Sequence, residues 1–261
     1  CMARLCPLFS GSTGNSYYIG SRTAGVLLDA GRSARQMEGA LRRCGLDPLA
    51  VQGIFVTHEH RDHIAGVRVF AKKYGIPVFA SAGTLTGCGA DLEQVECRVL
   101  GEAVEVAGMQ VIPFPTPHDC RESVGFRIRT ADGREFALAT DLGRVTDCVR
   151  EHLLGAEWGV RAANHDREMV LQGPYPAYLK HRVLSGRGHL SNGDCAQFLP
   201  ELARSGTRRF LLAHVSRENN TPALARETAL DALTEAGLEE GVDFWLGVAG
   251  PENQDGTSIL F

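Results

Sequence analysis

The sequence predicts an α/β protein in which two sheets pack against each other and helices lie on the outside. Two observations lead to this prediction. Short apolar runs bounded by Gly, Asp or Pro have the length and composition of strands, and longer segments with recognisable helix caps interleave with them. Several of the strand-like runs precede the first helix, which favours an antiparallel start.

The strand-like runs fall into an early and a late group, as two sheets would require. Each run is rich in apolar residues. The predicted strands are Leu5–Phe9, Ser16–Gly20, Gly25–Asp29, Gly53–Thr57, Pro77–Ala80, Met109–Phe114, Val124–Arg129, Glu135–Thr140, Arg208–Ala213 and Asp243–Gly247.

Capping residues indicate where the helices begin and end. Ser33 and Gln36 can form a capping box that opens a helix running to about Cys44, where Gly45 can take the left-handed conformation that ends helices. Further helices are expected from near His63 to Gly75, from the cap Thr146 to about Leu154, from near Ser191 onward, and from the cap Thr221, with Pro222 in the first turn, to near Gly237.

Nothing in the composition divides the chain. Its 261 residues, 44% of them hydrophobic, suffice for one large core, and no linker, repeat or low-complexity tract marks a boundary. We therefore expect a single domain over positions 1–261. The eight cysteines include no C-x-x-C pair, which argues against both a disulfide scaffold and a cysteine-ligated zinc module.

Charge and hydropathy restrict the partners of the protein. The net charge is -4, so a polyanion has to be attracted by a local patch or by bound metal rather than by the molecule as a whole. No run approaches the roughly 18 consecutive apolar residues of a membrane span, and the N-terminal stretch lacks the basic head and apolar run of a secretory signal. We expect a cytoplasmic protein without a membrane partner.

The segment Thr57–His63 predicts a metal site between a strand and a helix. Val56 ends an apolar strand and Ile64 opens an amphipathic helix, so the histidines between them occupy a tight loop outside the edge of a sheet. His58 and His60 are two residues apart and face the same way in an extended backbone. Both imidazoles can therefore bind one ion.

The second half of the loop can serve a second ion. Asp62 and His63 turn toward another position, whereas Glu59 and Arg61 alternate away and are not expected to be ligands. A histidine-rich surface loop is the alternative, and it is the usual explanation of an isolated His-x-His. Three histidines and an aspartate in one loop make a catalytic metal site the better explanation.

Two ions need more ligands than one loop provides, because a catalytic metal holds about three or four protein ligands. His118, Asp141 and His214 each follow an apolar strand. Any one of them alone would more often be an ordinary polar residue at a strand terminus. Together they lie at the carboxyl ends of strands, where the histidine loop also lies, and Asp141 can bridge both ions.

Short motifs distributed over nearly the whole chain carry a family resemblance. They are Ser10–Asn15 (SGSTGN), Leu28–Gly31 (LDAG), Thr57–His63 (THEHRDH), Ala139–Gly143 (ATDLG), Asn164–Asp166 (NHD), Gly188–Asn192 (GHLSN) and Ala213–Arg217 (AHVSR). These motifs resemble those of the metallo-β-lactamase-fold hydrolases and, within them, of the WalJ/YycJ-type proteins of bacteria. The histidine loop defines only the superfamily, whereas the SGSTGN, NHD and GHLSN blocks narrow it.

The resemblance implies a fold and a set of metal ligands. The fold is a four-layer αββα sandwich, with two mixed sheets and helices outside. Two divalent ions are implied, and the donors suit zinc, manganese or iron. The implied ligands are His58, His60 and His118 for one ion, Asp62, His63 and His214 for the other, and Asp141 between them.

The resemblance also implies a phosphodiesterase or nuclease, since members of the group have been described as exonucleases that act on DNA from the 5′ end. DNA is therefore expected as the substrate rather than RNA. We expect a hydroxide that bridges the two ions to attack phosphorus, with Asp62 orienting it. The alternatives are a small-molecule ester, thioester or lactone hydrolase on the same fold, and a non-enzymatic metal-binding regulatory protein.

His189 is the further catalytic residue that the resemblance indicates. In related nucleases of this fold a histidine in a similar block touches the scissile phosphate and can protonate the leaving oxygen. Asn164 and His165 are expected to contact the substrate together with His189. The alternative is a purely structural His189.

The chain departs from the expected family pattern at one position. Ala162 stands where a glutamate is expected, two residues before Asn164. In related nucleases an acid near this point orients the phosphate-facing histidine. Either Asp166 or His165 takes over that role toward His189, or the acid step is weaker.

Two other segments can contact a phosphate backbone. Met169–Gly193 contains no acidic residue but includes Lys180, Arg182 and Arg187, which fits a local basic face and fits an ordinary solvated surface equally well. The Gly- and Ser-rich Ser10–Asn15 segment can cradle a phosphate with its backbone N–H groups, or it can simply be a tight hairpin.

Overall fold

The computed structural model describes residues 3–260 and contains fourteen strands within that range. In chain order they are β1 (Arg4–Phe9), β2 (Ser16–Gly20), β3 (Gly25–Leu28), β4 (Val51–Phe55), β5 (Val78–Ala80), β6 (Cys97–Val99), β7 (Val104–Val106), β8 (Met109–Pro115), β9 (Val124–Thr130), β10 (Glu135–Ala139), β11 (Trp158–Ala162), β12 (Arg209–Ala213), β13 (Trp245–Val248) and β14 (Ile259–Leu260). Every predicted strand is present, with ends shifted by at most about two residues. Strands β6, β7, β11 and β14 were not predicted.

The same range contains nine α-helices. They are α1 (Ala34–Arg43), α2 (Arg61–Ile64), α3 (Val67–Tyr74), α4 (Ala82–Cys88), α5 (Asp147–Leu153), α6 (Arg167–Gln172), α7 (Ala177–Leu184), α8 (Asn192–Ser205) and α9 (Pro222–Glu235). The predicted capping box forms at Ser33, and Thr146, Ser191 and Thr221 cap α5, α8 and α9. No helix in residues 3–260 is long and apolar enough to cross a membrane.

The helix predicted from near His63 to Gly75 is wrong in one respect, because the structure divides it into α2 and α3. The N–H of Gly66 donates a 2.8 Å hydrogen bond to the carbonyl of Ala30, outside the helix. That tertiary bond replaces the bond that would have continued α2 into α3. The helices α4, α6 and α7 were not predicted.

The strands form two mixed sheets of seven. The first has the order β14-β1-β2-β3-β4-β5-β6 and the second has the order β13-β12-β11-β10-β9-β8-β7. In each sheet one side is antiparallel, and the other side, β3 to β6 or β10 to β13, is parallel. Parallel neighbours need long crossover connections, and these carry helices across the outer faces.

Apolar side chains from the two sheets meet in a central core. Phe55 and Phe79 stack with ring centroids 4.6 Å apart, and Phe126 of the second sheet packs edge-on against Phe55 at 5.8 Å. Trp158 and Phe136 are fully buried in the same cluster. Two further clusters of buried apolar side chains are present, one between the first sheet and its helices and one between the second sheet and its helices. The predicted four-layer αββα sandwich is thereby confirmed.

Candidate metal centre

The carboxyl ends of strands from both sheets meet at one edge of the sandwich. The loop after β4 and the helix α2 provide His58, His60, Asp62 and His63. The ends of β8, β10 and β12 in the second sheet are followed by the other three predicted ligands, which are His118, Asp141 and His214. The structure thus brings all seven residues together, and the possible ligand atoms form groups of three lying within 4.8 Å of one another.

The first group consists of three histidines. His58 Nε2 lies 3.0 Å from His60 Nδ1, and His118 Nε2 lies 3.3 Å from the same atom of His60. His58 and His118 are buried, whereas His60 is partly exposed. Three imidazole nitrogens that converge in this way form a donor set suited to a divalent ion with a preference for nitrogen.

The second group combines Asp62, His63 and His214, and Asp141 lies between the two groups. Oδ2 of Asp141 is 3.3 Å from His63 Nε2, and its Oδ1 is 3.4 Å from His214 Nε2. Among the described residues, Asp141 Oδ2 and His214 Nε2 are buried polar atoms without a hydrogen-bond partner. Buried polar atoms need partners, so these converging donors fit a divalent cation.

The electrostatics of the group suit metal binding. Burial acts to raise the pKa of Asp141, but the imidazoles of His214 and His63 hold it well below its usual range. Burial also acts to raise the pKa of Asp62, but the imidazoles of His214 and His63, at 3.6 and 3.4 Å from its Oδ2, lower that pKa. Burial also lowers the pKa of His58. The carboxylates are therefore ionised and His58 is neutral, the forms in which these side chains bind metal. Burial acts to lower the pKa of His63 and of His214, but the neighbouring carboxylates raise both, so these two imidazoles release a proton when they bind metal.

Asp29 supports the site from behind, and the sequence alone gave it no role. Its Oδ2 lies 2.7 Å from His63 Nδ1, and its two oxygens accept hydrogen bonds from the N–H and the hydroxyl of Thr57 at 2.8 and 2.9 Å. A carboxylate on the far ring nitrogen fixes the tautomer and orientation of a metal-binding histidine. The signal for it in the sequence was the LDAG motif after β3.

The Ser10–Asn15 segment contacts three of the candidate ligands and helps to position them. Ser10 Oγ accepts a 2.8 Å hydrogen bond from the N–H of His214. Asn15 Nδ2 donates to Asp62 Oδ2 at 3.2 Å and lies 3.1 Å from His63 Nε2. The tight turn therefore positions side chains from both halves of the site.

Asn164 and His165, predicted to contact substrate, lie behind the site. Asn164 Nδ2 donates to the carbonyl of His214 at 2.9 Å and lies 3.0 Å from its Nδ1, so it orients the ring of a candidate ligand. His165 is buried, and burial lowers its pKa to about 4. Neither residue lines the cavity in front of the metal donors.

His189 does line that cavity. Its Nδ1 is 3.3 Å from Asp141 Oδ1, and its ring centroid is 5.1 Å from those of His118 and His214. Burial lowers its pKa to about 3. The carboxylate that faces His189 is therefore that of Asp141. Asp166 is instead the N-cap of α6, where its Oδ1 accepts a 2.9 Å hydrogen bond from the N–H of Met169.

The cavity has a volume of about 380 Å³. Five of the candidate donors line it, and α7 forms part of its wall with Leu179, Arg182 and Val183. Arg61 and Ser12 lie on the wall as well. The space suits a small, polar, anionic group that is held against the metal donors.

A two-sheet αββα sandwich with clustered His and Asp donors at one sheet edge defines the class of metallo-β-lactamase-fold hydrolases. A family model described as the beta-lactamase superfamily domain matches residues 25–215, and the chain belongs to that superfamily. It is accordingly an enzyme of this hydrolase class, and the fold implies divalent metal.

Two relatives indicate which group within the superfamily this chain resembles. The chain is 35% identical over 250 residues to the exodeoxyribonuclease YycJ of Bacillus anthracis, with 94% of each chain covered. It is 34% identical over 252 residues to the exodeoxyribonuclease WalJ of Streptococcus pneumoniae, with 94% of this chain and 93% of the relative covered. The resemblance to the WalJ/YycJ-type proteins is thereby confirmed.

A solved structure supports the fold independently. The metallo-beta-lactamase fold protein YhfI from Bacillus subtilis superposes with a TM-score of 0.72 at 14% identity, over 100% of this chain and 99% of that one. At this level of identity the similarity concerns the architecture alone.

Proposed function

We propose that this enzyme is a metal-dependent phosphodiesterase that degrades DNA from a strand end. The proposal is carried by the cluster of seven His and Asp candidate donors, five of which line a cavity whose wall includes Arg61 and Arg182. An anionic phosphodiester fits both features, since its charge is met by metal on one side and by cations on the other. The relatives named as exodeoxyribonucleases favour DNA.

The donors divide most simply between two divalent ions. His58, His60 and His118 would hold one ion, Asp62, His63 and His214 the other, and Asp141 would serve both. Imidazole-rich ligation with two carboxylates is compatible with zinc, manganese or iron. When bound, such ions lower the pKa of water and neutralise charge that develops on phosphate oxygens.

The side chains around the donors have separate tasks. Asp62 and Asp141 orient the reacting groups at the floor of the cavity. His189 is the proposed proton donor to the leaving oxygen, because it lines the cavity and the two ions assigned above can be held without it. Its ring also forms a possible ligand group with His118 and Asp141, so it lies close to the reacting atoms. Its low pKa makes the ring neutral before substrate arrives, and an anionic phosphate beside the ring favours the protonated form.

Arg61 is the proposed phosphate-binding cation. It is exposed, lines the cavity, and has no hydrogen bond or ion pair among residues 3–260. The basic residues predicted on the 169–193 segment are instead engaged within the protein. Arg182 pairs with Asp119, and Arg187 donates to the carbonyl of His118 at 3.0 Å. They therefore hold the wall in place, and Arg61 is left as the cation of the wall without an ion pair among the described residues.

The proposal is tested with metal-reconstituted protein and labelled substrates. The protein is incubated with 5′-labelled linear duplex and single-stranded DNA, RNA, closed circular single-stranded DNA and bis-p-nitrophenyl phosphate. We expect cleavage of linear DNA to mononucleotides, survival of the circle, and loss of at least about a hundredfold in rate for Asp62→Ala.

Two results would contradict the proposal. If no phosphodiester is cut with zinc, manganese or iron, the enzyme is not a phosphodiesterase, and hydrolysis of p-nitrophenyl esters, thioesters or lactones by the same samples would then favour the small-molecule alternative. If the circle is cut as fast as the linear strand, the activity does not require a strand end.

A further inference from the structure

A second pocket lies directly behind the loop that carries His189. We call residues 183–190 the ridge, and the space behind it the ridge pocket. Val183, Gly188 and His189 face the metal cavity, whereas Leu184, Gly186 and Leu190 face the ridge pocket. The ridge pocket has a volume of about 430 Å³, comparable to the 380 Å³ of the metal cavity. The two spaces are thus separated by a single chain.

The ridge pocket carries unpaired positive charge over an apolar floor. Arg144 and Arg167 line it, are exposed, and have no ion pair or hydrogen bond among the described residues. Its acid, Asp194, accepts a 2.6 Å hydrogen bond from Ser191 Oγ. Leu190 and Phe198 supply apolar surface. Cations beside apolar and aromatic surface are the combination that binds a phosphate together with a nucleobase.

The two spaces are held at a short distance by close packing. Arg144 is three residues from Asp141, so their Cα atoms are at most about 11 Å apart. Between them, the N–H of Gly143 donates to the carbonyl of Pro117 at 2.9 Å. A Cβ on Gly143 would come within 2.6 Å of backbone atoms of Gly186, Arg187 and Gly188. The ridge is therefore packed tightly onto the segment that links Asp141 to Arg144.

Gly186 has no side chain at the exposed part of the ridge, although the packing around it leaves room for one. A Cβ on the neighbouring Gly188 would meet the carbonyl oxygens of Arg182 and Val183 at 2.3 Å, so the fold requires glycine there. Among the described residues, a Cβ on Gly186 would meet only Arg144 Cδ, at an ordinary 3.6 Å. Glycine at this exposed position leaves room for a ligand to approach the backbone closely.

We propose that the ridge pocket binds the next nucleotide of the strand whose terminal phosphodiester lies in the metal cavity, with Arg144 and Arg167 on its phosphate. This inference rests on the proposed function and specifies a polynucleotide of at least two residues as the preferred substrate. The strand crosses the ridge at Gly186, and its base lies against Leu190 and Phe198.

Binding of a fluorescein-labelled single-stranded oligonucleotide tests the proposal without turnover. Fluorescence anisotropy is measured on the metal-loaded protein, with a cleavage-resistant phosphorothioate backbone in the oligonucleotide, over a range of salt concentrations for the wild type, Arg144→Ala, Arg167→Ala and the double variant. The double variant should bind about tenfold more weakly at low salt, and the slope of log K against log salt should fall by about 0.7, as one lost phosphate contact on a single strand requires.

The matched control is Arg22→Ala. Arg22 is also exposed and unpaired among the described residues, but it lies in the turn between β2 and β3, at the opposite end of β3 from Asp29. Its replacement should leave both affinity and slope unchanged. Equal affinities for the wild type and the double variant, or equal losses in the double variant and the control, overturn the proposal.

Measurements of kcat/KM on two substrates show whether the ridge-pocket proposal or the proposed function is wrong. Bis-p-nitrophenyl phosphate fills only the metal cavity, so its kcat/KM should stay within about twofold of the wild type in the double variant, while kcat/KM for DNA falls about tenfold. Parallel losses on both substrates overturn the ridge pocket alone. If the wild type cuts neither substrate, the proposed function fails, and the binding data still decide whether the pocket holds a strand.

Gly186→Val provides an independent check. It adds bulk where the strand is proposed to cross and removes no charge. A loss of DNA affinity with an unchanged melting temperature is expected, and unchanged affinity contradicts the crossing point.

Discussion

Residues behind the metal donors decide how well the site is formed. Asp29 holds His63, Asn15 contacts Asp62, and Asn164 holds His214. None of the three is a proposed ligand, yet each contacts a proposed ligand through a hydrogen bond that limits its rotation. Loss of such an outer contact typically weakens metal affinity by about 10- to 100-fold.

Asp29→Asn should weaken metal binding while preserving the fold. The amide has the same shape as the carboxyl but no negative charge for the Nδ1 side of His63, so affinity should fall about 10- to 100-fold. Titration with zinc in a calorimeter measures the change. Asp231→Asn, an exposed and unpaired position on α9, is the control. Wild-type affinity in Asp29→Asn would remove the supporting role of this residue.

His189→Gln should reduce the cleavage rate by an amount that depends on how basic the leaving group is. A proton donor matters for DNA, whose leaving alkoxide is strongly basic, and matters little for p-nitrophenolate. Cleavage of DNA should therefore fall about 10²- to 10⁴-fold, while bis-p-nitrophenyl phosphate loses less than about tenfold. His181→Gln, on the exposed side of α7, should match the wild type. Equal losses on both substrates would assign His189 to structure or metal binding instead.

Among the elements, the turn after β3 is under the tightest steric constraint. A Cβ on Gly31 would lie 1.7 Å from the carbonyl oxygen of Asp62, and the N–H of Gly31 already donates to the carbonyl of Asn15 at 2.9 Å. This close approach packs the LDAG and SGSTGN motifs against the histidine loop. The motifs are thus parts of one packed unit.

Gly31→Ala should disturb stability and metal binding together. The added methyl group has to displace the backbone of Asp62, and we expect a loss of about 3 kcal/mol in the free energy of unfolding. Urea denaturation and zinc content measure the two effects. Gly101→Ala, where nothing lies within 4 Å of the new Cβ, should change the free energy of unfolding by no more than about 0.5 kcal/mol. A stable Gly31→Ala protein with full zinc content would contradict the steric argument.

At the scale of the whole molecule, the site joins the two sheets. His58, His60, Asp62 and His63 follow β4 of the first sheet, whereas His118, Asp141 and His214 follow strands of the second. A ligand that binds the folded state and not the unfolded chain stabilises the fold by mass action. Metal should therefore hold the two halves of the sandwich together.

Chelation should lower the melting temperature. With free metal about a hundredfold above its Kd, one site contributes about 2.7 kcal/mol, which corresponds to roughly 5–10 °C for a chain of this size. Differential scanning calorimetry with and without EDTA measures the shift, and Asp62→Ala should show a smaller one. A melting temperature that neither EDTA nor added zinc changes would mean that metal does not link the sheets.

The sequence by itself determined the fold class and indicated the seven candidate metal donors that the structure brings together. Strand-like runs, helix caps and the Thr57–His63 spacing are local signals that can be recognised in the sequence. The remaining candidate donors could be recognised because each of them follows the carboxyl end of a predicted strand. Strand β11 was missed because Gly159 and Arg161 interrupt its apolar run, and the three-residue strands β6 and β7 are too short to leave a pattern.

Only the tertiary structure decided which residues support the donors and which spaces lie beside them. Asp29 meets His63 across 34 positions of sequence, Asn164 meets His214 across 50, and the ridge pocket combines the end of β10 with α6 and α8. Such contacts depend on how strands far apart in the chain pair and twist in space. No local pattern of residues specifies them, because their energy arises only when the sheets have packed.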